Sequence, residues 1–329
     1  MSMRYAKTKI CPEIISYRNI AVMIIIITAV SSAFILINTE SFWRYSVPEN
    51  RETIHFKILS DKPNYTSNIV TVVTAYYPVP SKHNHSEYLE WINNFLSIIP
   101  CHLYIYTTRN MYPKLRHMRS NYTDRSRFIV REFDELAEYA KMDKWNYIKS
   151  IDPEWYHTPE VYVVWNQKWR FVQEAIEENA FNSEYFLWCD IGSFRDTNLA
   201  HLLKTFPNVD VVRNKLQDHS KLTFNLMSPY NEDERGNGSF WLTLRNGNTF
   251  ADHVGGGIVA GHKEAWAIWI RNYYNMQVLF FKLGLNGGKE QNLMNAVVVR
   301  SWNNVQLVRP ESYFNGTGNP WFYLQYYFS

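Results

Sequence analysis

Asp190 is the residue of this 329-residue chain best placed to do chemistry. It follows the apolar run EYFLWC (Glu184 to Cys189), which reads as a strand, and stands two residues before Gly192. A carboxylate at the carboxyl end of a strand, beside a glycine that leaves room for a ligand, suits a divalent cation bridging a diphosphate. Hard oxygen ligands hold Mg²⁺ or Mn²⁺, and substrate phosphates complete the shell. The competing reading is an aspartate that only closes the turn after the strand. Further on, HVGGGIVAGH (His253 to His262) contains Gly255, Gly256, Gly257 and Gly261. A backbone without Cβ atoms can approach a ligand closely and donate its amides to sugar or phosphate oxygens. The spacing fits neither the dinucleotide fingerprint nor the P-loop, and a tight turn explains it equally well. His253 and His262 flank the glycines and each offers a ring nitrogen, so Asp190 and His262 are the candidate metal ligands. Glu290 follows the turn Asn286-Gly287-Gly288 and opens a helix, where amide dipoles favour an anion and a cleft would let it accept a proton from a hydroxyl. It also reads as an ordinary acidic residue of a first helical turn.

These side chains need a scaffold that brings strand ends together, and the pattern supplies one. IVTVVTAYYPV from Ile69 is a β-branched run suited to a strand buried on both faces, stopping at Pro78. Leu89, Ile92, Leu96 and Ile99 recur at helical spacing before Pro100. HLYIYT (His102 to Thr107) and RFIVREF (Arg127 to Phe133) read as further strands. This alternation predicts an α/β layer architecture with crossover helices, whose ligands bind beyond the carboxyl ends of the strands. A helix is expected from Glu160 to Asn179, its apolar stripe of Val164, Phe171, Val172, Ala175 and Ile176 interrupted by Lys168. The segment Met142 to Pro159 reads as loop, Val209 to Arg213 as strand, Lys215 to Gly238 as a long polar loop, and Phe240 to Leu244 as a short strand. The glycine stretch reads as a turn before a helix from Lys263 to about Leu283, and Lys289, Glu290 and Gln291 open another helix.

Composition narrows the class of protein. Hydrophobic residues make up 46% and charged ones 20%, which fits a folded globular chain. A net charge of +3 argues against nucleic acid as a partner. Cys11, Cys101 and Cys189 are too few and too scattered for a disulfide framework or a closed zinc site. The uncharged run Ile20 to Ile37 is close to the ~20 residues that cross a bilayer as a helix. It continues past the small residues Ser31 and Ala33, so it reads as an uncleaved anchor. Flanking basic residues orient it only weakly. Sequons at Asn64, Asn84, Asn121, Asn237 and Asn315 all follow it and permit a luminal body. The expected organisation is a cytoplasmic tail (1–19), a transmembrane signal anchor (20–37), a stem (38–68) and a luminal domain (69–329).

Several segments together resemble a known family. IVTVVTAYYPV, EYLEWINNFLSIIPCHLYIYTT, VVWNQKWRFVQEAIEENAFNSEYFLWCDIGSFR, VGGGIVAGHKEAWAIW and GGKEQNLM are similar, in order, to the HtrL/YibB-like glycosyltransferase family, over about Ile69 to Pro310. The resemblance implies a GT-A-like, Rossmann-type central sheet flanked by helices, here with an N-terminal transmembrane helix. It implies a nucleotide-sugar donor, a glycan or glycoprotein acceptor, and a divalent metal, Mn²⁺ or Mg²⁺. Carried over by residue, it puts Thr74, Ala75 and Tyr76 beside the nucleotide and Lys168 on its diphosphate, and Arg195 is the other cation expected to offset charge on the departing diphosphate. Asp190 stands where related enzymes carry a paired D-x-D, with Trp188 in place of the first acid. Gly256 and Gly257 form an acceptor-side turn, followed by Glu290 and Gln291, with Glu290 as the base of an inverting displacement. The anchor and the sequons depart from the family's bacterial pattern and point to a single-pass type II protein of the Golgi or ER. Two other readings stand beside it: a membrane-tethered sugar-binding protein without activity, and a glycosidase, for which only Asp196 offers a second acid near Asp190.

Overall fold

The structure is a computed structural model that describes residues 70–236, 252–311 and 319–329. The expected anchor, the stem and the strand at 240–244 lie outside these residues. Among the described residues no helix is long and apolar enough to cross a membrane.

The chain begins with β1 (Val70–Tyr76), α1 (His85–Ile98), β2 (Leu103–Thr107), α2 (Tyr112–Met118) and β3 (Ser126–Val130). Asn84 starts α1 through a capping box, accepting from the Glu87 amide while the Glu87 carboxylate accepts from the Asn84 amide. Next come α3 (Met142–Ile151), α4 (Pro159–Glu178) and β4 (Tyr185–Cys189). The remaining elements are α5 (Thr197–Leu202), α6 (Val209–Lys215), β5 (Leu222–Leu226), α7 (Glu232–Gly236), β6 (Val254–His262), α8 (Lys263–Leu283), α9 (Glu290–Arg300), β7 (Val305–Val308) and α10 (Leu324–Tyr327).

Four expectations change. The segment expected as loop after Met142 contains α3, because Trp145 and Ile148, three residues apart, bury one helical face. The expected strand at Val209 is a helix: Asn208 caps it by accepting from the amides of Asp210 and Val211. The polar stretch after Lys215 holds β5 and α7. The glycine-rich stretch is no turn but the nine-residue strand β6, buried along nearly its whole length.

The strands form one sheet in the order β3-β2-β1-β4-β6-β5-β7. All run parallel except β6, which is antiparallel to both its neighbours β4 and β5. Strands buried on both faces need two apolar layers, and β1 alternates accordingly: Val72 and Tyr76 join the core under α1, while Val73 and Ala75 join the core under α4. One layer comprises Trp169 and Phe171 of α4, Trp266 and Tyr273 of α8, and Leu293 of α9. The other comprises Phe95 of α1, Leu115 of α2, Val212 of α6 and Leu324 of α10. The crossover after β1 therefore lies on one face and the one before β4 on the opposite face, although β1 and β4 are neighbours. That is a topological switch point, and it opens a crevice at the carboxyl ends of these two strands.

His102, at the foot of β2, packs edge-on against Phe181 at 4.8 Å between ring centroids. Burial, and secondarily Arg125, hold its imidazole down to about 4. The folded form thus binds this proton less readily than the unfolded chain, so the stabilisation is complete above an ordinary histidine value of ~6.5 and is lost as pH falls towards 4. His102→Phe is expected to flatten that part of the stability-versus-pH curve, measured by urea unfolding between these limits.

Candidate active site

The crevice is built from three elements that meet on one lysine. β4 ends at Cys189 and delivers Asp190, whose amide donates to the Gly257 carbonyl of β6 at 2.7 Å. Trp188 Nε1 donates to Asp190 Oδ1 at 2.8 Å. Lys168 reaches the same oxygen from α4, at 3.0 Å. Its Nζ also donates to Glu290 Oε1, at the start of α9, at 2.9 Å, and to the Gly256 carbonyl at 3.2 Å. An ammonium has three protons and here has three acceptors. The lysine is 3% exposed. Burial alone would depress its pKa, but Asp190 and Glu290 outweigh that and raise it, so the side chain stays cationic. Burial pushes the Asp190 carboxyl up, aided by Glu290 and opposed by Lys168 and Trp188.

Both glycines in the middle of β6 serve close approach. A Cβ on Gly256 would stand 3.0 Å from Glu290 Oε1, and one on Gly257 2.8 Å from the Phe322 ring. Because β6 alone is reversed, its first half reaches the end of the sheet where β4 finishes.

Above this floor lies a cleft of about 1020 Å³. One side carries Tyr76, Tyr88 and Arg195. The Tyr76 hydroxyl pairs with His85 Nδ1 at 2.7 Å, and burial pushes the phenol up to about 12. The Arg195 guanidinium lies between the rings of Trp91 and Phe322, 4.4 and 5.1 Å from their centroids. Burial holds its pKa below the usual arginine value. Among the described residues no carboxylate pairs with it. The other side carries Tyr156, His157 and Trp165. There Lys289 bridges Glu154 and Asp252 at 2.9 and 3.0 Å.

Ala75, Tyr76, Lys168, Asp190, Arg195, Gly256, Gly257, Glu290 and Gln291, all singled out by sequence, line this one cleft. Thr74 does not. It is fully buried inside the sheet, where its Oγ1 has no partner. His262 does not either. It pairs with Tyr185 at the opposite end of β4, whereas Ile258 pairs with Cys189. Four residues of strand put roughly 13 Å between those two positions on β6, so His262 cannot share an ion with Asp190. It instead caps α8 through Nδ1 and stacks on His219 at 4.0 Å. Together with Glu264 these two form, among the described residues, a group that could hold a metal, remote from the cleft. His253 is bound to Glu234 at 3.0 Å and lies outside the cleft lining.

The three protons of Lys168 are taken by Asp190, Glu290 and the Gly256 carbonyl, whereas Arg195 and Lys82 line the cleft with no carboxylate partner among the described residues. One or two carboxylates with substrate phosphates suffice to hold Mg²⁺, so the number of acids alone excludes nothing. The position between Asp190 and Glu290, however, is filled by Nζ of Lys168. As arranged, these residues do not fit a bridging divalent ion.

Sequence reasoning missed the pairing of Glu290 with Asp190, although a lysine in an apolar helical stripe was its trace. It also missed Glu154, Asp252 and the C-terminal Phe322, which no local pattern marks.

Comparison with curated proteins gives no match. Among solved structures the chain resembles mouse xyloside xylosyltransferase 1 in its apo form, with 9% identity and a TM-score of 0.41, over 80% of this chain and 94% of that one. It also resembles 4-diphosphocytidyl-2C-methyl-D-erythritol synthase from Anaerococcus prevotii, with 10% identity and a TM-score of 0.29, over 74% and 88%. Residues 70–280 match the model of a family described as a bacterial protein of unknown function, HtrL_YibB, and the chain belongs to that family.

Proposed function

We propose that the protein is a glycosyltransferase that moves a sugar from a nucleotide-sugar donor to a hydroxyl of a glycan or glycoprotein. The observation that carries this reading is the convergence of Asp190 and Glu290, from separate elements, on one buried ammonium at the floor of a switch-point cleft. The cleft is large enough for a nucleotide sugar and part of an acceptor. In this reading the base lies against Ala75 and Tyr76, the diphosphate meets Arg195, and the sugar sits over the acidic floor. Glu290 takes the proton of the acceptor hydroxyl as its oxygen bonds to the anomeric carbon. The bond from that carbon to the phosphate oxygen breaks, and the nucleoside diphosphate leaves with the electron pair, stabilised by the guanidinium of Arg195. Asp190 holds Lys168 and offers its remaining oxygen, Oδ2, to the donor's hydroxyls.

A glycosidase fits less well. Its two carboxylates flank the scissile bond with substrate or water between them, whereas here the intervening position belongs to Lys168. We place the body in the lumen of the Golgi or ER, tethered by residues 20–37, from the apolar run and the sequons that follow it. The deciding experiment incubates the full chain with a panel of nucleotide sugars and measures released nucleoside diphosphate. Release is expected for one donor class, and it should fall in Arg195→Ala. A protein that binds nucleotide sugars yet releases nothing, with or without acceptor glycans, is a sugar-binding module and the transferase reading is wrong.

A further inference from the structure

We propose that Lys168 takes the place of a divalent cation in this cleft, so that the nucleotide donor binds and reacts without one. The inference rests on the transferase reading and concerns what balances charge at its floor. Asp190 and Glu290, each within 3.0 Å of one atom, would repel one another if no cation stood between them. A metal ion is one way to hold such a pair; here a side chain of the protein does it. Nζ of Lys168 lies 3.0 Å from Asp190 and 2.9 Å from Glu290, and its third proton goes to the Gly256 carbonyl at 3.2 Å. The ammonium is also fixed from below, its Nζ 5.7 Å from the centre of the Trp188 ring, whose Nε1 in turn binds Asp190. Asp190 Oδ1 therefore already accepts two hydrogen bonds.

The helix supports the same conclusion. Lys168 sits in an apolar stripe of α4 whose neighbours Phe171 and Val172 are fully buried, and Asn166 and Gln167 beside it are buried as well. The stem of Lys168 is buried among these neighbours and only its tip reaches the cleft floor, so swinging it aside to admit an ion would leave a cavity. Arg195, across the cleft, is then the group that meets the donor's phosphates, held by Trp91 and Phe322 rather than by an acid.

The test uses the full chain in detergent and two probes. Affinities for UDP, GDP, CDP and ADP are measured by calorimetry in EDTA and again in excess Mn²⁺. For whichever nucleotide binds, the two values are expected to agree within about twofold, well short of the ~10-fold change that about 1.4 kcal/mol would make. Loss of binding in EDTA that Mn²⁺ restores overturns the proposal. The second probe is Mn²⁺ alone, followed by the electron spin resonance of the free ion. It is run in a His219→Ala background so that the remote His219, His262 and Glu264 group does not contribute. The parent should leave the ion free. Lys168→Met, with two carboxylates facing a vacated position, should capture it at least ~10-fold more tightly. Equal capture by both proteins also overturns the proposal. If Lys168→Met fails to fold, the calorimetric comparison still decides. If no nucleoside diphosphate binds under any condition, the transferase reading falls, while the Mn²⁺ comparison still reports on the lysine.

Discussion

Glu290→Gln is expected to lower the rate of glycosyl transfer by ~10²-fold or more while leaving donor affinity nearly unchanged. The amide keeps the shape of the side chain, and its oxygen can still accept from Lys168, so the floor of the cleft should hold together. What disappears is the oxygen able to take the acceptor's proton. Glu290 Oε1 is occupied by Lys168, at 2.9 Å, so the proton must go to Oε2. Steady-state kinetics with a saturating donor would measure the effect as a fall in kcat without a matching rise in donor KM. Wild-type kcat in this variant would remove Glu290 from the chemistry and favour a route in which the hydroxyl loses its proton elsewhere. Crystallography of the variant with a nucleoside diphosphate would confirm that the fold had not moved.

Lys168→Met should have the largest effect on stability of any single change at the site. It leaves Asp190 and Glu290 close together in a poorly hydrated position with no cation between them. Removing one partner of a buried ionic group costs about 3 kcal/mol, the lower end of the usual range because the Asp190 side chain is 36% exposed to the cleft. The loss should depend on pH in a defined sense. The folded-state pKa of the Asp190 carboxyl is already raised above its ordinary value, and without the lysine it rises further. A carboxyl whose folded pKa is raised is stabilising below its unfolded value and loses that contribution as pH rises through the folded one. The deficit of Lys168→Met is therefore smallest in acid and grows towards neutrality. Chemical denaturation of both proteins at several pH values tests this. A deficit that stays constant from pH 4 to pH 8 would mean that the lysine acts through packing alone.

The readable part of this molecule was its parallel half. The β-branched run of β1, the helical spacing of Ile92 and Leu96 and the short apolar run of β4 each carry a local signal, because strands and helices buried on two faces must be apolar in a fixed rhythm. Asp190 could be found because a strand end is a local feature. The antiparallel half was harder. Four glycines in ten residues look like a turn when only neighbours along the chain are considered. They form a strand because β4 and β5 pair with it on both sides, and they are glycines because Glu290, Phe322 and Leu222, far away in sequence, crowd against the positions a Cβ would need. The misplacement of His262 follows from the same error: a turn would have folded it back to Asp190, whereas an extended β6 carries it to the other end of the sheet. The helix at Val209 was hidden by its β-branched content, and the signal that overrode it was the Asn208 cap. Thr74 lies on a strand that reaches the cleft, but two residues before its end a side chain is still enclosed in the sheet's own packing.

The balance of charge on the cleft floor has a selective consequence. Two carboxylates and one ammonium leave a surplus of one negative unit, while Arg195 on one wall has no carboxylate partner among the described residues. A bound molecule is thereby given a direction, with its anionic end drawn to that wall and its uncharged, hydroxyl-bearing end turned to the floor. Sugars that carry an acid of their own, such as uronic acids, would bring like charge against the floor. Neutral hexoses and pentoses would not, so on the proposed transferase reading the site would separate these two groups of donors before any hydroxyl is read.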